Sequence, residues 1–373
     1  MHTKISINVI IFCILTVSTT ASSSSCLVFG VNGHPLAQTA YQLQTYNQQL
    51  QALQELNQQY YRIDIGLNPD RSGRIRDLNP ALYNFSSILD TLNNNGLIML
   101  PIIFPTTEHS NNYTIPELYQ LSYDEGVRWT QLYGNLFSVI ELDNEQDNVC
   151  IKPGVDGTTR DDYNYTCIQR VVAKMSGFAA GLKDTLSSLR IIIDFCWLHW
   201  GYMDFLTAAS TKYDIVGYHW YSDMGDIRRS HGNISDVLQH VIDTYKKPIW
   251  ITEMNTKNGD MNIPSANQSD YILNTLNTIL TYYPAVQSYI IYELFDEYQF
   301  ANSSGEAHYG LTKFQDDRIV YKPFARTYQT WLDGYHQNVC QQCRWPAQKS
   351  SQLIYENKKI KTIDINARKV NSD

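Results

Sequence analysis

Eight short apolar segments recur along the chain, and stretches with the periodicity of amphipathic helices lie between them. The segments start 25 to 52 residues apart, which leaves room for one helix and two loops in each interval. Short apolar strands that alternate with helices are typical of a parallel sheet, and eight such units predict an α/β fold, a closed (β/α)8 TIM barrel. The predicted strands are 26–32, 60–66, 97–104, 137–145, 189–196, 214–221, 248–255 and 287–294.

The chain is long enough for one such barrel with insertions. No repeat, charge block or linker divides residues 26–343, so they are predicted to form a single domain.

Residues 1–25 are predicted to be a secretory signal, because Lys4 precedes an apolar run too short for a membrane span of about 20 residues. No later segment is long and apolar enough to span a bilayer. Residues 344–373 are polar and basic, and we expect a poorly ordered tail.

Two further features favour a secreted, extracellular protein. Six Asn-x-Ser/Thr sequons predict a glycoprotein, and they lie at Asn84, Asn112, Asn164, Asn233, Asn267 and Asn302. Cys150 and Cys167 bracket one loop after the fourth strand, and we expect a disulfide that closes this insertion. Cys340 and Cys343 could pair with each other, or one of them with Cys26.

Charge and missing motifs exclude several classes of function. The last 30 residues carry seven basic and three acidic side chains, so residues 26–343 have a net charge of about −13, and nucleic-acid binding by this region is excluded. The sequence has no GxGxxG, Walker, HExxH, GxSxG or H-x-H motif, and its nine histidines show no ligand spacing. We therefore expect no metal and no cofactor.

The ends of the fourth and seventh predicted strands each carry a carboxylate. Strand 4 ends in VIELDNEQD, which contains Glu145, and strand 7 ends in WITEMN, which contains Glu253. The carboxyl ends of barrel strands hold the active sites of such folds, so both side chains are predicted at one mouth. Cleavage of a glycosidic bond requires such a pair: one carboxyl group protonates the leaving oxygen, and the other attacks the anomeric carbon or activates water.

With these motifs, residues 27–335 resemble a glycoside hydrolase of clan A, a group of retaining (β/α)8 enzymes. The segments FGVNGHP and YELFDE resemble family 39 or family 5 sequences, although Gln146 replaces the proline of the commoner Asn-Glu-Pro. The resemblance implies that Glu145 is the acid/base and Glu253 the nucleophile. It also implies that Asn144 hydrogen-bonds the 2-hydroxyl of the sugar. Glu145 is then expected to be protonated and poor in hydrogen-bond donors, and Glu253 to be ionised.

The resemblance assigns supporting roles to three more residues. Arg62 would hold the nucleophile ionised, since a guanidinium lowers the pKa of a carboxyl group; the alternative is a buried ion pair with Asp64 or Asp143. His219 and Tyr221 lie two apart on strand 6 and therefore on one face, beside the nucleophile, although His219 could be a packed core residue.

Four residues at other strand ends are candidates for sugar contacts. Trp197 and Trp200 could stack on sugar rings or pack in the core. At the end of strand 8 the tryptophan common in clan A is replaced by Tyr292 and Glu293, and Glu293 becomes a candidate ligand for a hydroxyl group.

The sequence leaves three functions open. The first is a secreted retaining β-glycosidase that acts as a monomer on a polysaccharide or oligosaccharide. The second is a transglycosylase with the same residues, and the third is a non-catalytic glycan-binding protein on a hydrolase-like barrel.

Overall fold

The eight predicted strands form a closed barrel. A computed structural model describes residues 26–76, 84–106, 112–316, 318–338 and 340. Each barrel strand pairs in parallel with the next one in sequence, and the eighth pairs with the first, which confirms the TIM barrel. The strands are β1 Val28–Gly33, β2 Tyr60–Gly66, β3 Ile98–Phe104, β4 Val139–Leu142, β5 Arg190–Cys196, β6 Ile215–Tyr221, β7 Ile249–Asn255 and β8 Val286–Ile291.

Nine α-helices, five short 3-10 helices and one hairpin accompany the barrel strands in the described part of the chain. The hairpin of β9 Thr312–Gln315 and β10 Arg318–Tyr321 follows the barrel and was not predicted. The helices are α1 Thr39–Gln42, α2 Tyr46–Glu55, α3 Phe85–Asn93, α4 Ile115–Tyr133, α5 Tyr165–Thr185, α6 Trp200–Ala208, α7 Val237–Tyr245, α8 Ser265–Leu280 and α9 Pro323–Asn338. No helix in the described ranges is long and apolar enough to cross a membrane.

Polar side chains start several of these helices where the backbone amides lack partners. Thr114 accepts a hydrogen bond from the amide of Glu117, whose carboxylate accepts one from the amide of Thr114. Thr45 and Gln48 form the same reciprocal pair at α2. Such capping boxes satisfy amides that have no acceptor within the helix and so fix where the helix begins.

The lower part of the barrel interior is apolar, and the upper part is polar. One apolar side chain from every strand fills the lower layer, namely Val28, Tyr60, Leu100, Val139, Ile192, Ile215, Trp250 and Ile290. Successive strand residues point to opposite faces, so the residue two positions later points into the barrel again. On β2, β4 and β5 that residue is Arg62, Glu141 and Asp194, and all three are buried. Strand alternation therefore puts charges directly above the apolar layer.

Two disulfides occur among the described residues. Cys150–Cys167 closes the insertion after β4, as predicted. Cys26–Cys340 joins the start of β1 to the end of α9 across 314 residues, so the alternative that links Cys26 to Cys340 is the one adopted. Cys196 is a buried free thiol. Disulfides of this kind are typical of proteins that fold in an oxidising compartment.

The sequon asparagines lie at the surface. Asn112, Asn164, Asn233, Asn267 and Asn302 are exposed, and Asn84 is half-buried. Asn84 and Asn164 also cap α3 and α5 through their side-chain oxygens. Glycosylation at these positions stays a prediction, as do the signal and the tail, which lie outside the described residues.

We predict that Gly177→Ala destabilises the protein. A Cβ atom at Gly177, where α5 crosses α4, would lie 2.2 Å from the backbone oxygen of Tyr119. Relief of this overlap requires α4 and α5 to separate, and overpacking costs about 1–3 kcal/mol. Urea unfolding should show this loss. Gly334→Ala in α9 is the matched control: its Cβ would have nothing within 4 Å, and we expect a gain of about 0.5–1 kcal/mol. Equal effects of the two substitutions would contradict the packing argument.

Candidate active site

A cavity of about 560 Å³ opens at the carboxyl ends of the barrel strands, and Glu145 and Glu253 both line it. Glu253 is the fifth residue of β7 and is 6% exposed. Glu145 follows β4, and 32% of its side chain is exposed. One carboxylate oxygen of Glu145 lies within 4.8 Å of one of Glu253. The two predicted carboxylates thus face each other across the cavity.

The prediction that β4 continues to Glu145 was wrong, because the strand ends at Leu142. Asp143 and Glu145 have φ angles of +62° and +46°, which no strand tolerates, so the backbone turns here. The amide of Glu145 donates to Oδ1 of Asp194 at 2.9 Å. This turn directs the Glu145 side chain into the cavity.

Glu253 is held by two strong donors. Nη1 of Arg62 donates to its Oε1 at 2.8 Å, and the hydroxyl of Tyr221 donates to its Oε2 at 2.9 Å. Nδ1 of His219 lies 3.7 Å from Oε2. Asn144 makes no hydrogen bond to Glu253; its side-chain oxygen accepts from Nη2 of Arg62 at 2.7 Å.

The alternative ion pairs of Arg62 with Asp64 or Asp143 do not form. Asp64 accepts from His34, and Asp143 accepts from Lys174. Arg62 is instead held in two places by Glu141, through Nε at 2.5 Å and Nη2 at 2.9 Å. A buried guanidinium needs such compensation, since an unpaired buried charge is very costly.

Glu145 is richer in donors than expected. Nδ1 of His219 donates to its Oε1 at 3.0 Å, and Asn148 donates to its Oε2 at 3.0 Å. Burial raises the pKa of Glu145, but the hydrogen bond and positive charge of His219, with Arg62, outweigh it and leave the pKa below its ordinary value. The expectation of a protonated Glu145 in a donor-poor setting was therefore wrong for the free protein.

Glu141 and Asp194 form a buried carboxyl pair beneath this site, and the sequence analysis gave neither a role. Burial raises the pKa of Glu141, but Arg62 and His219 lower it to about 2. Burial, with the negative charge of Glu141, raises the pKa of Asp194 well above its usual range, despite His219 and Arg62. Glu141 is therefore ionised and Asp194 protonated. Each is a lone carboxyl group within an apolar strand, and that pattern is the signal that could have identified them.

His219 lies between two pairs of carboxyl groups, the pair at the cavity and the buried pair beneath it. It is fully buried, and its Nε2 donates to Oγ1 of Thr252 at 3.0 Å. Burial lowers its pKa, but Glu253, Asp194, Glu141 and Glu145 raise it well above its ordinary value. The imidazole is therefore charged and donates from both nitrogens, so His219 is not an apolar packing residue.

The predictions for Trp197, Trp200 and Glu293 need correction, because none of them lines the cavity. Trp197 follows β5 with a φ angle of +50° and packs against the core. Trp200 is 8% exposed and packs on His240. Glu293 is fully buried behind the cavity, where it accepts from the hydroxyl of Tyr41 at 2.6 Å.

Tyrosines supply most of the aromatic lining instead. Tyr221, Tyr292 and Tyr309 form an edge-to-face cluster, with Phe104 and Phe300 elsewhere on the wall. The hydroxyl of Tyr292 donates to Glu306 at 2.8 Å. These residues offer apolar edges and hydroxyl groups in the same cavity, which suits a ligand with both kinds of surface.

A second buried cluster lies next to Glu145. Oδ2 of Asp147 accepts from Nδ1 of His199 at 2.6 Å and from the amide of Cys196 at 3.1 Å. Burial and the negative charges of Asp147 and Glu145 raise the pKa of the Cys196 thiol well above its usual range. Cys196 therefore stays a thiol, and we assign it no nucleophilic role, since the thiolate is the reactive form.

Residues 196–308 match the family model of the glycosyl hydrolase catalytic core. That segment contains β6 and β7, with His219, Tyr221 and Glu253. The sequence matches no curated protein at a significant level.

Three solved structures illustrate the similarity in fold. A beta-glucosidase from Thermotoga maritima in complex with deoxynojirimycin has a TM-score of 0.57 at 14% identity, over 82% of this chain and 97% of that chain. The virulence factor SghA from Agrobacterium tumefaciens has a TM-score of 0.59 at 11% identity, and the match covers 83% of this chain and 97% of that chain. A beta-glucosidase from Exiguobacterium marinum has a TM-score of 0.58 at 14% identity, and the match covers 83% of this chain and 98% of that chain.

We predict that Glu141→Gln destabilises the protein in a pH-dependent way. The substitution leaves Arg62 buried without its main counter-charge, which costs about 3–5 kcal/mol for a broken buried pair. The pKa of Glu141 is lowered in the folded protein, so its contribution to stability is present above the unfolded pKa and is lost as pH falls toward about 2.

Chemical unfolding at pH 7, 4.5 and 3 measures the free energy of unfolding of the wild type and of the variant. The difference between these two free energies should be largest at pH 7 and smaller at pH 3. Glu55→Gln, at the surface end of α2, should have little effect at any of these pH values. A Glu141→Gln effect that does not depend on pH would contradict an ionised Glu141.

Proposed function

We propose that this chain, a glycoside hydrolase by its catalytic-core segment and its barrel, is a secreted β-glycosidase that retains anomeric configuration. Glu253 is the nucleophile and Glu145 the acid/base. The observation that carries the proposal is the distance between the pair, with oxygens within 4.8 Å of each other. Carboxyl groups about 5–5.5 Å apart are typical of retention, and about 6.5–9.5 Å is needed for the extra water of inversion.

The surroundings of Glu253 support its role. Arg62 and Tyr221 each donate to one of its oxygens, which favours the ionised form that attacks the anomeric carbon. Attack forms a glycosyl ester and breaks the bond to the leaving oxygen, which takes a proton from Glu145. Glu145 then accepts a proton from the water that hydrolyses the ester.

His219 supplies the proton that Glu145 lacks in the free protein. A bound sugar displaces water from the cavity and buries Glu145 further, which raises the pKa of that carboxyl group. The proton on Nδ1 of His219 can then cross the 3.0 Å hydrogen bond to Oε1 of Glu145. His219 is left as the neutral Nε2–H tautomer, which still donates to Thr252.

The β-linkage and the substrate class are proposed from the structural neighbours and from the lining of the cavity. The structural neighbours named above include beta-glucosidases, and an open cavity lined by tyrosines and carboxylates suits a sugar within an oligosaccharide or polysaccharide. Disulfides, surface sequons and a predicted signal support secretion.

Substitution of the nucleophile tests the mechanism. Glu253→Gln should lower kcat on aryl β-glycosides by at least roughly 10⁴-fold, because no other group can form the covalent ester. Steady-state kinetics measure this, with Glu55→Gln as a matched control that should keep wild-type rates. Near-normal turnover by Glu253→Gln would refute the assignment.

Substitution of the acid/base should give a different pattern. Glu145→Ala should lose activity on substrates with poor leaving groups but keep formation of the ester with 2,4-dinitrophenyl glycosides, which need no proton. Azide should restore turnover, since it attacks the ester without a general base, and the product should be a glycosyl azide of retained configuration. Failure of azide to accelerate this variant would contradict the role of Glu145.

The pH profile tests the proton transfer from His219. In the wild type, the His219–Glu145 pair keeps one proton up to the raised pKa of His219, and kcat/KM falls when that proton leaves. In His219→Gln the proton resides on Glu145 alone, so the basic limb should move to lower pH. His231→Gln, outside the cavity, should leave the limb in place. An unchanged or higher basic limb in His219→Gln would contradict this account.

A further inference from the structure

Three carboxylates line the part of the cavity formed by β2 and the segment after β8, and the proposed reaction uses none of them. We call Asp64, Glu297 and Glu306 the acidic wall. The inference below rests on the proposed function, because it concerns the sugar that the same cavity accepts.

Glu297 is built into the wall with an unused acceptor. The residue is 1% exposed, yet its Oε1 has no hydrogen-bond partner among the residues that the structure describes. Most buried polar atoms in folded proteins are hydrogen-bonded, and an orphaned one costs free energy. Because Glu297 lines the cavity, a ligand there can supply the missing donor.

The other two carboxylates are only partly satisfied. Oδ2 of Asp64 accepts from Nδ1 of His34 at 2.6 Å, and Oε2 of Glu306 accepts from the Tyr292 hydroxyl at 2.8 Å. Burial raises the pKa of Glu297 to about 7 and that of Glu306 above its ordinary value, so both groups are fully charged only above neutral pH. In that form a carboxylate offers about four acceptor positions and no donor. The wall therefore requires a ligand that brings hydrogen-bond donors.

The charge of the cavity points in the same direction. Six carboxylates line it, against the side chains of His34 and Lys257. Lys257 is paired with Asp223 at 2.7 Å, and His34 is paired with Asp64. Glu253 is paired with Arg62 and Glu145 with His219, whereas no ion pair within the described ranges balances Glu297 or Glu306. A negative charge brought close to Glu297 and Glu306 would be repelled by their ionised forms.

We infer that the acidic wall selects sugars that carry hydroxyl or ammonium donors and excludes sugars that carry a carboxylate or sulfate. The substrate is accordingly a neutral or amino glycoside and not a uronic acid. Glu297 and Glu306 are residues that determine this specificity. Their oxygens bind donors of the sugar, and their charges repel acidic substituents.

Three aryl glycosides that differ in one substituent test the inference. At pH 8, where Glu297 is ionised, we expect the wild type to cleave 4-nitrophenyl β-D-glucoside or β-D-glucosaminide with kcat/KM at least roughly 100-fold above that for β-D-glucuronide, because like charges brought together repel each other. A faster glucosaminide identifies ammonium as the preferred donor, and a faster glucoside identifies hydroxyl. Added salt should narrow the gap to the glucuronide, since it screens the repulsion.

Removal of single charges from the wall identifies its contribution. Glu297→Gln and Glu306→Gln should each reduce the preference over glucuronide by roughly 10-fold while circular dichroism stays that of the wild type. Asp90→Asn, an exposed residue of α3, changes the net charge by the same amount and should leave the preference unchanged. If one of the two wall variants does not fold, the other variant still tests the inference.

Equal cleavage of glucoside and glucuronide by the wild type would overturn the inference, as would an unchanged preference in both folded wall variants. Failure of the proposed function looks different, because Glu253→Gln would then keep activity on every substrate. If no aryl glycoside is cleaved, tyrosine fluorescence titrations with cello-oligosaccharides and their C6-oxidised forms decide the matter. Tighter binding of the neutral forms supports the acidic wall, and equal binding refutes it.

Discussion

The buried guanidinium of Arg62 is the interaction on which the site depends. Its nitrogens donate to Glu141, Glu253, Asn144 and Asn32, so a single side chain joins residues from β1, β4, the turn after β4, and β7. Only 1% of Arg62 is exposed, and a charge so deeply buried is tolerated only with full hydrogen bonding. The barrel must therefore close with these strands in register, and this closure also fixes the position of Glu253.

The charges around Arg62 are arranged in pairs with different protonation states. Glu141 is ionised and Asp194 protonated because they share one buried space that cannot hold two adjacent negative charges. Asp194 also accepts from the amide of Glu145 and thereby fixes the turn that presents that carboxylate. The apparent pKa values belong to the coupled network and not to single residues. The network contains two neighbouring cations. Arg62 can keep the nucleophile ionised, and His219 can supply a proton to the acid/base.

Sequence reasoning predicted the barrel well because strand and helix periodicity is a local signal. Strand β2 was predicted at its observed bounds, whereas β4 ended three residues early, since the left-handed conformations of Asp143 and Glu145 leave no trace in an apolar pattern. The juxtaposition of Arg62, Tyr221 and Glu253 followed from strand order and from the two-residue alternation along a strand. Strand order and side-chain alternation follow from the barrel topology, and the pattern of strands and helices in the sequence predicts that topology.

The errors concern contacts between elements that no pattern specifies. Trp197 and Trp200 were candidates because they follow β5, but a left-handed turn and helix packing remove them from the cavity. The acidity of Glu145 was misjudged because its neighbour His219 lies 74 residues away in sequence. Glu297 and Glu306 belong to the irregular segment after β8, where period and position predict no orientation. The structure is needed to show that both residues line the cavity and that a buried oxygen of Glu297 lacks a partner.

The most direct test of the account is to trap and locate the covalent intermediate. A 2,4-dinitrophenyl 2-deoxy-2-fluoro-β-glycoside slows hydrolysis of the ester more than its formation, so the glycosyl-enzyme accumulates and can be digested for mass spectrometry. The account predicts one added fluoro-sugar on the peptide that contains Glu253, and its disappearance in Glu253→Gln. A sugar attached to any other residue, or turnover to product of inverted configuration without an adduct, would contradict a retaining mechanism at Glu253.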